Sequence, residues 1–238
     1  MTLEQLTESY TIPSRAIEVV KSANVALLVG ISGAGKDSIK KQLLQMDGFG
    51  GVVSYTTRSL RENGGFPEVD GLDYNFIDED KARDMLIARE FVEAKFVHGI
   101  FYGTSIDNLQ SASEHGVALA DIDVQGVSEY HAISEDVVAI FIVPPSYSEW
   151  LGRLKRRYST EEEFLAEWPK RRESAIKELE RALELPYYHC IVNDNLMDAV
   201  EATAEIARHQ GVFTRRDDEA KLVARDLLQD IKTIDETF

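Results

Sequence analysis

The sequence predicts an α/β fold, a mostly parallel sheet covered by helices with one small subdomain inserted. Short apolar runs alternate with helical stretches, as in VALLVG, SIKKQLLQM, GVALADIDV, VVAIFIVPPS and YHCIVND, and that alternation indicates parallel strands joined by helical crossovers. Between residues 51 and 105 the pattern breaks into short, turn-rich pieces, VVSYTTR, GLDYNFI and FVHGIFYG, which mark the insert. Residues 153–172, dense in arginine, form a third kind of segment.

Composition narrows the class. A chain of 238 residues can bury most of its apolar surface in one core, so one domain is expected. Hydrophobic residues make up 44% and charged residues 29%, and no apolar run approaches the roughly 20 residues that cross a bilayer. A soluble protein without a membrane partner is expected. The opening MTLEQLTESY has no basic start followed by an apolar stretch, so no secretory signal is expected. Cys190 is the single cysteine, which excludes an internal disulfide. Both features point to a cytoplasmic protein, the thiol reading as a small buried hydrophobe. With 42 acidic against 26 basic residues the formal charge is −16, which argues against nucleic acid as the main partner. Any anionic ligand must be held locally. The histidines at 98, 115, 131, 189 and 209 match no zinc spacing, so metal-dependent hydrolysis is set aside.

The first strand, VALLV, leads into GISGAGKDS at residues 30–38. A glycine-rich turn feeding a helix start gathers unpaired N–H groups and the positive end of a dipole, and so cradles phosphate. Gly30, Gly33 and Gly35 let the backbone approach phosphate oxygens, with Ile31, Ser32 and Ala34 between them, and Lys36 reaches the outer phosphates. The pattern is that of a P-loop NTPase, with one irregular letter: Asp37 stands where Ser or Thr usually holds magnesium, and Ser38 offers the hydroxyl one residue later. A carboxylate at a helix start suits the dipole but repels a triphosphate unless a cation lies between them. Two rival motifs fail: a dinucleotide fingerprint needs glycine at Ser38, and a nucleophile elbow around Ser32 needs glycine at Ala34. A glycine-rich turn with no ligand is the plain structural alternative.

In the insert, SYTTRSLRENGGFPEVDGLDYNF places Arg58 and Arg61 three residues apart, with Ser54, Thr56, Thr57 and Tyr74 nearby. Two guanidiniums and a phenol suit a second phosphate group, since Arg offers planar paired donors. On the core strand ADIDV, Asp121 and Asp123 lie two apart, so they are expected to share a face at the sheet edge where ligands gather. Capping of the turn at Gly126 is the alternative for that pair. Ser146 and Glu149 have capping-box spacing, so a helix is expected there, with Arg153 and Arg157 four apart on one face. Arg156 and Arg172 read as solvated or paired with nearby glutamates.

Together GISGAGKDS, SYTTR with Arg61, EVDGLDYNF, EFVEAKF, FYGTS, ADIDVQGV, IVPPS, RLKRR and IVNDNL resemble the guanylate kinase family, in its order, over residues 25 to about 200. The resemblance implies a single domain with its core at about 23–53 and 106–210. It adds a small GMP-binding insert at 54–105 and an arginine-rich lid at 153–172; the acidic tail at 211–238 extends past the resemblance and is expected to be helical. It also implies a hydroxyl moved one place along, as in Lys36-Asp37-Ser38. The activity implied is phosphoryl transfer from ATP to GMP, with Mg²⁺, in purine nucleotide metabolism. Arg58, Arg61, Tyr74 and Tyr102 would grip the GMP phosphate, and Ser54, Glu93, Thr104 and Asp123 would read the base. Guanine carries N–H donors at positions 1 and 2 that a carboxylate can accept, and adenine has no N–H at position 1. Lys36, Arg153, Arg157 and Arg171 would stabilise the moving phosphoryl group, with Ser38 and Asp121 toward the metal and Asn193 toward adenine. Nucleotides are the expected partners, in a monomer or homodimer.

Two stretches depart from the family's pattern: ENGGFP is a longer linker, and the lid is lengthened through Glu167, Trp168 and Pro169. A related kinase acting on a sugar phosphate such as ribose bisphosphate, and a catalytically silent binding module, are the alternatives. The tail DDEAKLVARDLLQDI is expected to be a helix packed on its own domain, with Val223, Leu227 and Leu228 on one face, widened by Leu222 and Ile231.

Overall fold

The computed structural model describes residues 1–63, 66–97, 99–208 and 213–234; Gly64 and Gly65 of the ENGGFP run, His98 and His209 lie outside them. The first half of the chain forms α1 (Leu3–Glu8), α2 (Ser14–Ser22), β1 (Asn24–Val29), α3 (Lys36–Leu43), β2 (Phe49–Gly51), β3 (Tyr55–Thr56), β4 (Glu62–Asn63), β5 (Phe66–Pro67), β6 (Asn75–Phe76), α4 (Glu79–Ile87), β7 (Phe91–Val97) and β8 (Ile100–Ser105). The second half adds α5 (Ile106–Ser113), β9 (Val117–Asp121), α6 (Val124–Ile133), β10 (Val138–Val143), α7 (Tyr147–Lys155), α8 (Glu161–Glu184), β11 (Tyr188–Val192), α9 (Leu196–Arg208) and α10 (Arg215–Thr233). These elements fall into two compact units, residues 1–25, 47–120 and 128–137 in one and residues 26–46, 121–127 and 138–238 in the other.

In the second unit β1 pairs with β10 and β10 with β11, all parallel, with Leu28 opposite Ile140 and Ile140 opposite His189. Every residue of VAIFIV in β10 is buried, the near-continuous apolar run that a strand covered on both faces requires. Helix α9 presents Ala199, Ala202, Ala204 and Ala207 to the interior, small side chains that allow close approach to α3 and β11. The helix expected after Pro145 is α7. Ser146 caps it by accepting from the Glu149 N–H, but the Glu149 carboxylate pairs with Arg153 instead of returning to Ser146, so the box is half made.

Residues 153–172, expected from sequence to form the lid, comprise the end of α7, a link at 156–160 and the start of α8, so Arg157 lies past the helix on whose face it was expected beside Arg153. Pro169 lies inside α8, where it has no N–H to offer the Leu165 carbonyl. Phe164 and Trp168 offset that loss by packing in a row with Trp150, at ring separations of 5.5 and 5.7 Å. The tail forms α10 and packs on α8 and β11 of its own unit. Its buried stripe is Ala220, Ala224, Leu227 and Ile231. Leu222, expected to widen that stripe, is 56% exposed, because the short alanines bring the helix in on a face rotated away from it.

In the first unit β2 pairs parallel with β9, and a second sheet runs in the order β6-β3-β8-β7. SYTTR, DYNF and FYGTS supply β3, β6 and β8. Leu3, Met85, Leu86, Phe91 and Phe101 form its core with Tyr10 and Tyr55 against them. Helix α1 belongs to this core; TLEQ has the spacing of a capping box, and Thr2 and Gln5 exchange its reciprocal bonds and fix the helix start.

Candidate active site

The phosphate loop sits in the second unit between β1 and α3. Gly35, with φ of 96°, caps α3 in the left-handed region, and a Cβ there would collide with the Asn193 amide. That amide donates to the Ala34 carbonyl at 2.8 Å, so the end of β11 pins the loop. A Cβ on Gly30 would come within 2.5 Å of the Ile142 carbonyl. Ile31 and Ala34 are buried beneath the turn, and the Ser32 carbonyl accepts from the Trp150 indole at 2.8 Å. Lys36 Nζ donates to the Gly30 carbonyl at 2.6 Å.

A cavity of about 380 Å³ opens on this loop, lined by Gly33, Gly35, Lys36, Asp37, Ser38, Arg153, Arg156, Arg157, Asn193, Asp194 and Leu196. Four cationic side chains face two carboxylates there, a local positive excess in a chain of net charge −16. Arg153 bonds Glu149 and the Asn193 carbonyl, at 2.9 and 3.0 Å. Arg157 reaches over the loop, with Nη1 on Ser32 Oγ at 2.7 Å and Nη2 on Asp37 Oδ2 at 3.4 Å. Arg156, read from sequence as solvated or paired, lines the cavity and also lies 3.8 Å from Glu149. Arg171 does not line it; its guanidinium bonds the Tyr158 hydroxyl at 3.0 Å and Glu167 at 3.4 Å. Arg172 meets no glutamate in these bonds and donates instead to the carbonyls of Ile231 and Lys232 at the end of α10.

Asp121 closes β9 and remains open to water, yet crowding by protein atoms pushes its carboxyl above the usual range. Lys36 and Lys40 oppose that rise, whereas the adjoining Asp37 adds to it. Asp123 lies beyond the strand, so the two-residue alternation that would have put both carboxylates on one face does not extend to it. Its Oδ1 accepts from the Gln125 and Gly126 N–H groups at 3.0 and 2.7 Å, the turn-capping alternative.

The other residues expected for GMP belong to the first unit. Arg58 and Glu68 form a two-point pair at 2.7 and 2.9 Å. The Glu68 bonds raise the Arg58 pKa, and those of Arg58 hold the Glu68 carboxyl below its usual range. Tyr74 and Phe76 lie 5.2 and 5.6 Å from the guanidinium, and Tyr74 meets Tyr102 edge-on at 6.1 Å. Arg61 is exposed, its backbone N–H bonded to Glu68. A register shift in β7 between Phe91 and Glu93 sets Glu93 opposite Thr104; such irregularities re-aim side chains. Thr104 Oγ1 donates to Glu93 Oε1 at 2.9 Å. Its single proton is thereby used, so Ser54 Oγ, 3.0 Å from Thr104 Oγ1, must donate to it. The hydroxyl protons therefore run Ser54 to Thr104 to Glu93, ending on a 6% exposed carboxylate that can only accept. Thr104 and Tyr102, two apart on β8, project to one face.

Glu68 is a site residue that the sequence reading gives no role, although an acidic residue near two arginines is a pairing signal. Trp150 and Arg156 had no distinguishing signal, because their places depend on how α7 packs.

A glycine loop between a parallel strand and a helix, opening on a cation-lined cavity, defines a P-loop phosphotransferase of nucleotides. Within that class the chain belongs to the guanylate kinase family, whose model matches residues 22–210. It is 35% identical over 174 residues to guanylate kinase 1 of Oryza sativa subsp. japonica, a match covering 71% of this chain and 44% of that relative's length. Guanylate kinase of Sulfurimonas denitrificans is 36% identical over 192 residues, covering 79% of this chain and 88% of that one. The crystal structure of guanylate kinase from Anaplasma phagocytophilum superposes with a TM-score of 0.59 at 27% identity, over 82% of this chain and 90% of that one.

Proposed function

We infer that the protein transfers the terminal phosphoryl group of ATP to GMP, giving ADP and GDP. The observation that carries this reading is the hydroxyl chain ending on Glu93. A buried acceptor-only carboxylate meets the N–H donors of guanine, whereas adenine has no N–H at position 1 to offer it, which makes the wrong base costly. A phosphosugar kinase would leave Glu93, Thr104, Ser54 and Tyr74 without a ligand, and a silent module would have no use for Lys36 in its glycine loop.

Arg58, Arg61, Tyr74 and Tyr102 hold the GMP phosphate, and Asp123 joins the base readers. The loop from Gly30 to Ser38 takes the ATP phosphates, with Asn193 toward the adenine. Lys36 exchanges the Gly30 carbonyl for phosphate oxygens, and Arg153, Arg157 and Arg171 neutralise charge spreading over the transferring group. The protein's contribution is positioning and electrostatics, with no general base required.

The donors suit Mg²⁺. Ser38 offers a hydroxyl at the cavity wall, and the Asp37–Asp121 pair places two like charges together, which a hard cation relieves. Among the described residues no group of three or more His, Cys, Asp or Glu side chains is arranged to hold a metal, so the ion arrives with the nucleotide. Bound beside Ser38 and Asp121, such an ion would supply charge neutralisation at the phosphates. The protein works as a cytoplasmic monomer or homodimer, a setting that suits its buried single thiol. Among the described residues no helix is long and apolar enough to cross a membrane.

A coupled assay for ADP formation tests the reading by offering GMP, AMP, UMP and ribose phosphates in turn. GMP is expected to be preferred, and equal rates with GMP and AMP would refute it.

A further inference from the structure

Tyr130, on α6, is fully buried, and its hydroxyl lies within reach of the Thr104 hydroxyl without making a well-formed hydrogen bond to any group. A phenylalanine would fill the same space without stranding a donor, so a hydroxyl kept there at a cost to stability signals a use. Its surroundings show which use. Glu129, the preceding residue, meets Lys95 at 3.9 Å, and Lys95 lies two along β7 from Glu93, on the same face. Tyr130 itself lies against the Thr104 hydroxyl and within the field of the Glu93 carboxylate. Burial pushes the phenol pKa up, with the Glu93 charge adding to the rise, so the group stays protonated, keeping both a lone pair and a proton, and can offer that proton to a nearby acceptor. Thr104 has one: its own proton goes to Glu93 and it accepts from Ser54, which leaves one lone pair.

We propose that Tyr130 is a positioning residue for base recognition, its hydroxyl closing onto Thr104 and fixing Thr104 and Glu93 when the purine is seated. The inference rests on the GMP reading above. Tyr130 touches no substrate and acts through Thr104.

The test is Tyr130→Phe, a one-atom deletion, measured by steady-state kinetics with GMP and AMP and by thermal melting. Tyr188, the buried and likewise unpartnered phenol on β11, supplies the control Tyr188→Phe. For Tyr130→Phe we expect the KM for GMP to rise roughly fivefold, the size of one neutral hydrogen bond, with kcat nearly unchanged. The preference for GMP over AMP, taken as a ratio of kcat/KM, should fall by a similar factor, and the melting midpoint should hold or rise. Tyr188→Phe should leave that ratio unchanged. An unchanged ratio in Tyr130→Phe overturns the proposal, as does a lowered melting midpoint with equal losses for both substrates. If the wild-type protein itself shows no preference for GMP, the functional reading fails and this inference falls with it.

Discussion

Arg58 and Glu68 face each other through two parallel bonds, with side chains only 7% and 8% exposed. Glu68 also accepts from the Arg61 N–H at 2.8 Å, so one carboxylate sets the direction of the first arginine and the backbone of the second. Removing one partner of a buried pair strands the other charge at a cost of about 3 kcal/mol or more. Glu68→Ala is therefore expected to lower stability by that order and to raise the KM for GMP more than that for ATP. Glu68→Gln, which keeps the shape, should lose less stability but still weaken GMP binding. Equal changes in both KM values would detach Glu68 from the GMP phosphate.

Lys36→Ala should reduce turnover by orders of magnitude, because the amine supplies charge to the transferring group. Its bond in the structure is to the Gly30 carbonyl, so the fold should survive, with an unchanged circular dichroism spectrum and melting midpoint within a few degrees. Activity near wild type would discard the loop mechanism.

Asp37 touches Arg157 at 3.4 Å and adjoins Asp121, so replacing it alters both an arginine contact and a cation's surroundings. In Asp37→Ser the Mg²⁺ concentration needed for half-maximal rate is expected to shift severalfold, since a hydroxyl is a weaker partner for a hard cation than a carboxylate. A superimposable Mg²⁺ titration would mean that the side chain never meets the metal.

Acid should destabilise the protein in two stages. Burial pushes the His189 pKa below 6.5, against the opposing pull of Asp217. The unfolded chain then binds the proton more readily, so stability is full above 6.5 and declines as pH falls through the folded pKa. The Arg58 bonds depress Glu68 below 4.5, so its contribution is present above 4.5 and is lost at still lower pH. Melting midpoints at pH 7.5 and 5.5 should differ in the wild type, and by less in His189→Gln. A midpoint unchanged over that interval would show that His189 does not titrate differently on folding.

Much of the architecture could be read directly because its signals are local. VALLV and VVAIFIV announce buried parallel strands by composition alone, and Gly30, Gly33, Gly35 and Lys36 announce their turn by spacing. The Ser54, Thr104 and Glu93 chain was legible only through the family resemblance, since β3, β7 and β8 meet by long-range pairing with a register shift. The roles of Glu68, Arg156 and Tyr130 depend on which side chain meets which after packing, and periodicity carries no such information. Leu222 was misjudged because an apolar residue beside a stripe of alanines looks like part of it, whereas close approach by the alanines leaves it outside.

The second unit's sheet ends at β11, whose outer margin would otherwise present free backbone donors to any passing strand. Asp217 of α10 accepts from the Cys190 N–H at 3.3 Å as well as from the His189 ring at 2.9 Å, so a residue beyond the family-matched stretch covers one donor of that margin. Chains stitched edge to edge are a common route to aggregates. The tail thus gives the protein colloidal protection: a preparation with α10 displaced should lose solubility before it loses the ability to form its nucleotide pocket.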